Sequence, residues 1–396
     1  MESYIIDWFS LIFRWLHLIT GVAWIGASFY FVWLDNSLQN PPQWKKDKGI
    51  KGDLWSIHGG GIYEVAKYQL APEEMPATLH WFKWEAYTTW LTGMVLLTVI
   101  YYLGADSYLI DKRVADLNQL QAISIGVGFL VFGWILYELL CRSPLAKNGY
   151  VIGGILIVAA VAASYTLTSL FSGRGAYIHM GAMIGTIMAG NVFRVIMPSQ
   201  RALVAAIEKG EAPDPSWGAK AKLHSTHNTY LTLPLLFIMI SSHYPFTYTN
   251  QYNWLVLLAI IAITAVARQY FILEHKQINR PVLLVAAAFA TLILAVVIAP
   301  KPVATSGDSQ LLSDAQALQI VQQRCASCHS STPGDDVFTV APAGVMFDSL
   351  AEVRQWAPRI KARTIDSNDM PFMNKTAMTD QERASLGRWL AGDGAD

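Results

Sequence analysis

The sequence predicts an all-α protein in which a polytopic bundle of about eight membrane helices precedes a small helical domain. Of its 396 residues, 53% are hydrophobic and only 15% are charged, a composition too apolar for a soluble chain of this length. Long apolar segments fill the first 300 residues, and beyond Pro300 the sequence becomes polar and mixed in charge. We therefore predict a membrane domain over residues 1–300, a linker over 301–309 and a second domain over 310–396.

Each predicted membrane helix is an apolar segment close to the ~20 residues that cross a bilayer. The sixth segment is the shortest of the set. In chain order the segments are 8–33, 86–104, 120–141, 149–171, 176–198, 228–243, 254–273 and 281–300. An even number of crossings places both ends of the chain on the same side of the membrane.

Lysine and arginine are concentrated in alternate connections between these segments. Cytoplasmic loops retain these residues, so the connections after the first, third, fifth and seventh segments are predicted to be cytoplasmic. The other connections hold only Lys112, Arg113 and Arg174. The bias predicts a bacterial inner-membrane protein, surrounded by lipid, with both termini on the periplasmic side. Lys plus Arg equals Asp plus Glu at 29 each, so no field that would recruit nucleic acid is expected.

The C-terminal region contains a haem-attachment motif, Cys-Ala-Ser-Cys-His. The thiols of Cys325 and Cys328 have the spacing that forms two thioethers with one haem, and the adjacent His329 then ligates the iron. Haem c of this kind is attached on the oxidising side of a bacterial membrane. The motif therefore predicts an electron-transfer domain on the same side as the charge bias does.

Three capping boxes predict three helices in this region, beginning after Ser313, Ser349 and Thr379. This order of elements is the one expected of a small class I cytochrome c. A second iron ligand is then expected between the last two helices, and Met370, followed by Pro371, is the predicted one, since thioether ligands are common in such cytochromes. The alternatives, whose roles packing would also explain, are Met373, Met378 and Met346.

His17 and His179 lie inside the predicted membrane segments and His243 closes the sixth; ionisable residues there are costly and mark functional sites. His17 is near the middle of the first segment, with Gly21 on the same helical face leaving room for a flat group. His179 lies at a compatible depth in the fifth segment. Because electrons tunnel only over short distances, a relay across the membrane is needed, and we predict a non-covalent haem b between His17 and His179. A different pair, or a bound copper or zinc ion, stays open.

Polar side chains from five helices gather at the predicted cytoplasmic ends. Snorkelling or hydrogen bonding between helices would explain any one of them, but their convergence predicts a site. The candidate catalytic residues are His80, Glu85, Asn191, Arg194, His224 and His227.

Four segments of the chain resemble the bacterial membrane-bound urate oxidases, also called urate hydroxylases, which carry a C-terminal cytochrome c. These segments are 17–38 (HLITGVAWIGASFYFVWLDNSL), 79–93 (LHWFKWEAYTTWLTG), 172–192 (SGRGAYIHMGAMIGTIMAGNV) and 227–245 (HNTYLTLPLLFIMISSHYP). The resemblance implies oxidation of urate to 5-hydroxyisourate. It also implies that the electrons pass through the haem to a soluble cytochrome c or a terminal oxidase, without forming peroxide. One departure is Met373, where glycine is expected after a Met-Pro pair.

The polar residues at the cytoplasmic ends suit urate, a planar anion at neutral pH. Its oxidation needs a cation, hydrogen-bonding groups, an aromatic face and a base. The cation would be Arg194 or Arg268, and the hydrogen-bonding group Asn191 or Asn228. Trp84 would supply the aromatic face. The base would be one of Glu85, His80, His224 and His227. Two other classes stay open: a membrane-anchored cytochrome that only carries electrons, and a transporter with a regulatory cytochrome.

Overall fold

The computed structural model describes residues 2–72, 74–275, 277–299, 312–366 and 369–392. It confirms a predominantly helical protein. Five helices among these residues are long and apolar enough to cross a membrane: Trp8–Ser37, Gln119–Arg142, Gly149–Leu170, Gly173–Glu208 and Asn253–Glu274. Their number and composition are compatible with a membrane protein. The predicted linker, 301–309, lies outside the described residues.

The described residues up to 299 form a helical bundle. Its main helices are α1 (Glu2–Ser37), α2 (Trp84–Leu96), α3 (Gln119–Arg142), α4 (Gly149–Leu170), α5 (Gly173–Asn191), α6 (Met197–Glu208), α7 (Pro215–Ser241), α8 (Asn253–His275) and α9 (Val282–Val297). Two of them continue into a wider, π-helical turn: α2 through Leu97–Tyr102, and α5 through Val192–Ile196 into α6. Such turns inside helices are frequent at functional sites.

Helix α5 lies at the centre of the bundle. Half of the most apolar stretch of Gly173–Glu208 is buried, against 17% in α3 and in α4. Small residues let its neighbours approach closely: a Cβ on Gly181 would lie 2.5 Å from a methyl group of Ile238 in α7. A Cβ on Gly190 would lie 2.4 Å from the indole nitrogen of Trp134 in α3. The glycines of α5 therefore set the distances between the three helices that carry most of the buried polar groups.

The all-α prediction misses a β-hairpin between α1 and α2. Strand β1 (Ile50–His58) pairs antiparallel with β2 (Gly61–Tyr68). Their two-residue turn is Gly59-Gly60, with φ of 57° and 81°. Positive φ at both positions is what the common hairpin turn requires, and glycine supplies it without strain. The glycine run 59–61 of the sequence is thus accounted for by the turn and the start of β2.

The region 312–392 has a hydrophobic core of its own. Its main helices are α10 (Asp314–Arg324), α11 (Leu350–Gln355) and α12 (Asp380–Ala391). All three predicted capping boxes are present, with Ser313, Ser349 and Thr379 each accepting from the backbone three residues on. Ala317, Val321, Val353 and Leu386 are completely buried between these helices. Local capping signals were therefore sufficient to place the helix starts.

Candidate functional site

The Cys-Ala-Ser-Cys-His motif begins where α10 ends. Cys325 is buried in the core and Cys328 is partly exposed. Nδ1 of His329 donates to the carbonyl of Val345 at 3.0 Å, which fixes the ring and leaves Nε2 available. Burial lowers the pKa of His329 and raises that of Cys325 to about 12. The lowered pKa of His329 favours the neutral imidazole, the form that ligates metals.

Met370 lies in a backbone segment held on both sides. Its amide donates to the Arg363 carbonyl at 2.9 Å, and its own carbonyl accepts from Nη1 of Arg383 at 2.6 Å. The guanidinium of Arg383, a residue only 7% exposed, also donates to the carbonyl of Thr364 and the side chain of Asn374. Arg383 is thus the hub that positions the Met370 segment. Sequence reasoning missed it, because a single arginine in a helix carries no sign of which carbonyls it reaches.

The other methionines are placed differently. Met378 is 3% exposed and packs in the hydrophobic core with Cys325. Met346 is at the surface, and Met373 has a left-handed backbone with φ of 55°. Met370 stays the predicted ligand.

Arg383→Met is expected to lower the free energy of unfolding of the C-terminal region by about 2–4 kcal/mol, since buried acceptors lose their donor. Thermal unfolding of the full chain, followed by circular dichroism, measures this. Arg354→Met is the matched control, because the ion pair of Arg354 with Asp314 lies at the surface and is worth at most about 1 kcal/mol. Equal effects of the two substitutions would contradict the assignment of Arg383 as the hub.

The C-terminal region docks on one end of the bundle beside the Met370 segment. The ring centroids of Phe372 and Tyr108 are 5.5 Å apart. The guanidinium carbon of Arg174 is 5.9 Å from the Phe372 ring centroid. Asp369 accepts a hydrogen bond from the Thr249 hydroxyl at 3.3 Å. We call this the docked end of the bundle and the opposite one the far end. Tyr108, Arg174 and Thr249 all belong to the charge-poor connections or the helix starts beside them.

His17 lies against α2, with its ring orientation fixed. Nδ1 is 3.0 Å from both the Thr89 carbonyl and the Thr92 hydroxyl. A Cβ on Gly93 would be only 2.9 Å from Cε1 of the imidazole, so glycine is needed there to admit the ring. His17 lines a cleft between α1, α2, α5 and α7.

His179 lies outside that cleft, in a different environment. It is fully buried, its Nδ1 bonds the Gly175 carbonyl at 2.8 Å, and its ring packs among Phe171, Tyr101 and Tyr102. Its Nε2 faces α3, where a Cβ on Gly126 would be 2.6 Å away. The structure therefore does not bring His17 and His179 to one cavity.

At the far end, a polar network joins α3, α5 and α7. The Tyr137 hydroxyl contacts Nδ1 of His227 at 2.7 Å and accepts from Asn191 at 3.1 Å. Asn191 also donates to Asn228 at 2.8 Å. His224 lies beside Tyr137 and His227, with ring centroids 6.1 and 6.3 Å away. Three candidate catalytic residues, Asn191, His224 and His227, are thus brought together.

His224 differs from its neighbours in having a free ring nitrogen. The residue is 5% exposed, and its Nδ1 donates to the Lys220 carbonyl at 2.9 Å. Nε2 is buried and has no hydrogen-bond partner among the described residues. An imidazole in this tautomer presents an unshared electron pair at Nε2, as a proton acceptor requires.

Glu85 and His80 form a second group at the start of α2. Nε2 of His80, largely exposed, is 3.9 Å from one carboxylate oxygen of Glu85. The other oxygen is buried with no partner in the described part of the chain. Ala86, the next residue, packs in one cluster with Val192, which follows Asn191. The two groups therefore lie at the same end of the bundle.

The candidate arginines are placed unequally. Arg194 is exposed, in the π-helical turn after Asn191. Arg268 is 3% exposed, and its guanidinium lies 4.1 Å from the ring centroid of Phe29 in α1. Two of its nitrogens are buried without a hydrogen-bond partner among the described residues. Of the two, Arg268 is the buried cation; Trp84 is 62% exposed.

Tyr137 is the functional candidate that sequence reasoning missed. It joins residues 54 and 90 positions away along the chain. A tyrosine near the end of an apolar helix is common at membrane interfaces, so its type alone does not mark it. One sequence signal was available: Tyr137 is four residues from both Gly133 and Cys141, so the three residues share the face of α3 that packs against α5.

The fold and the buried polar network describe a helical, membrane-compatible protein with ionisable groups inside its bundle. Comparison with protein families shows that residues 3–299 match the model described as urate oxidase N-terminal. The chain belongs to this family, and membership indicates an oxidative function related to urate. Comparisons with curated proteins and with solved structures found no match.

Proposed function

We propose that the protein is a membrane-bound enzyme that oxidises urate to 5-hydroxyisourate and passes the electrons through a covalently attached haem c to the respiratory chain. The observation that carries this proposal is the family match over residues 3–299, continued in the same chain by Cys325, Cys328 and His329. Family membership indicates urate as the substrate, and the Cys-x-x-Cys-His motif indicates haem c as the electron acceptor.

The reaction balances without oxygen as oxidant. Urate and one water give 5-hydroxyisourate, two protons and two electrons. The protons need a base near the substrate, and a haem held by the motif would supply one-electron transfer. The acceptor beyond the haem is a soluble cytochrome c or a terminal oxidase on the periplasmic side.

The residues of the C-terminal region fit a haem c. Both thiols stand at the end of α10, and the orienting bond from His329 to Val345 is the kind that metal-ligating histidines make. Cys325 and Cys328 would hold the haem covalently, with His329 and Met370 as iron ligands. A haem bound there supplies one-electron transfer. Arg383 keeps the Met370 segment in place.

At the far end, orphaned polar atoms support a substrate site. Buried atoms with no partner are costly, and a ligand that satisfies them recovers that cost. We assign His224 as the base, because its Nε2 is buried, oriented and free. Tyr137, Asn191 and His227 would hold the purine edge by hydrogen bonds. Glu85 and Arg268 carry the other orphaned atoms and are the charged candidates for orienting the anion.

The test is anaerobic addition of urate to the purified full-length protein, followed by absorbance of the haem. We expect reduction of haem c and, once oxidised cytochrome c is added, two electrons delivered for each urate consumed. In a parallel assay under air with oxidised cytochrome c, no peroxide should accumulate. A protein that only carries electrons would stay oxidised with urate and yet be reduced by dithionite. That result would overturn the proposal in favour of the electron-carrier class.

A further inference from the structure

A cleft at the docked half of the bundle has features that the urate site does not use. It lies between α1, α2, α5 and α7; the part that water-sized molecules can occupy is about 190 Å³, and the empty space counted together with its wide open mouth is about 970 Å³. Its walls are mainly apolar, with polar groups at few positions: Arg14, His17, Thr89, Arg174 and Ser242.

His17 presents a nitrogen suited to binding a metal. Thr89 and Thr92 engage Nδ1, so the free electron pair is at Nε2, which has no hydrogen bond to any described residue. A histidine ligand in a metal site is oriented in this way, through its other nitrogen on a backbone carbonyl. Gly93 keeps the ring in that position.

Two arginines line the same cleft near the docked end. Arg14 is one helical turn before His17 in α1, and Arg174 is at the start of α5. Both act electrostatically on Tyr101, which also lines the cleft. One nitrogen of each is engaged, by Ser10 and by Tyr101, and a guanidinium has five N–H donors. The cleft thus combines an apolar body with two cations, which suits a flat apolar molecule that carries carboxylates.

Space for a flat molecule exists across from His17. The cleft is lined there by Gly181, Ala182 and Gly185 of α5. A Cβ on Gly185 would meet no atom within 4 Å, so the helix leaves this side open. Larger residues would fill the space.

We infer that this cleft binds a second, non-covalent haem, with His17 as an iron ligand and Arg14 and Arg174 on the haem carboxylates. The inference deepens the proposed function, since it names the relay between the urate site and haem c. It also replaces the pairing of His17 with His179, whose ring lies outside the cleft. A neutral quinone would leave both arginines without a charged partner, and a lipid phosphate would need no oriented imidazole.

The cleft is joined to the C-terminal region through Arg174. The guanidinium that lines the cleft also lies over Tyr108, at 5.0 Å, and Phe372. Phe372 is two residues from Met370, the predicted ligand of haem c. A haem held in the cleft would supply one-electron transfer towards the C-terminal region.

The experiment is a pyridine haemochrome spectrum of the purified full-length protein, which separates haem b from haem c and uses no urate. We expect equal amounts of both. His17→Ala should lose haem b and keep haem c, and His179→Ala, the matched control, should keep both. Gly185→Phe should lose haem b by filling the cleft, which provides a second route should His17→Ala fail to accumulate.

Three results would overturn the inference. They are wild-type protein with haem c alone, a His17→Ala protein that retains haem b in full, or a quinone or phospholipid recovered in equal amount with the protein and displaced by Gly185→Phe. Failure of the proposed function has a different signature: both haems are present and neither is reduced by urate.

Discussion

A Cys325→Ser, Cys328→Ser protein is expected to contain no covalently bound haem and to lose all urate-dependent reduction of an external cytochrome c. Without thiols no thioether can form, and the proposed route for electrons out of the bundle is removed. Haem staining of the denatured protein after electrophoresis detects covalent haem directly. Reduction of added cytochrome c by urate gives the second readout. Both signals should fall to background.

Cys141→Ser is the matched control for this experiment. Cys141 is the remaining one of the three cysteines and lies at the end of α3, far along the chain from the motif. Its replacement should leave covalent haem unchanged. Persistence of covalent haem in the double variant would sink the assignment of the motif, whatever happens to urate oxidation.

His224→Ala is expected to lower the rate of urate oxidation by about 10²–10⁴-fold, the usual contribution of a general base. The haem content should not change, because no residue proposed to bind haem contacts His224. The measurement is the rate of haem c reduction after mixing with saturating urate. The effect should appear in this rate and not in the amount of haem finally reduced.

His58→Ala is the control, because it removes an imidazole that lies outside the proposed site. His58 is exposed at the end of β1, beside the hairpin turn. It should keep the wild-type rate. A His224→Ala protein that retains the wild-type rate would move the base to Glu85 or His227, and Glu85→Gln and His227→Ala then distinguish the two.

The helices were predictable because their signals are local. Apolar segments gave most of the bundle, and Ser313, Ser349 and Thr379 marked helix starts through contacts three residues away. The hairpin was missed although its turn was visible as Gly59-Gly60. The lysines of this segment were interpreted as a sign of a cytoplasmic loop. One of these lysines, Lys45, is buried, and its ammonium group pairs with Asp53 of β1 and Glu64 of β2, which stabilises the hairpin.

The candidate site was predictable in composition but not in arrangement. Helical spacing places His17 and His179 at compatible depths, but it does not say which neighbour each ring faces. His17 turns to α2 and His179 to α3, as set by glycines at Gly93 and Gly126. The Tyr137 network likewise depends on contacts between distant helices. The family and the motif, by contrast, could be recognised from the residues alone.

In the proposed function, the way in which Phe372 faces Tyr108 and Arg174 restricts the last step of electron delivery. Because the C-terminal region is covalently tied to the bundle, its local concentration there is on the order of millimolar, and a soluble competitor for that surface is at a disadvantage. The edge that carries Phe372 is therefore occupied in the docked state. An external cytochrome must take its electron from another edge of the region, or receive it only after release. Turnover that slows with a cross-link between Thr249 and Asp369 positions would identify release as part of the cycle.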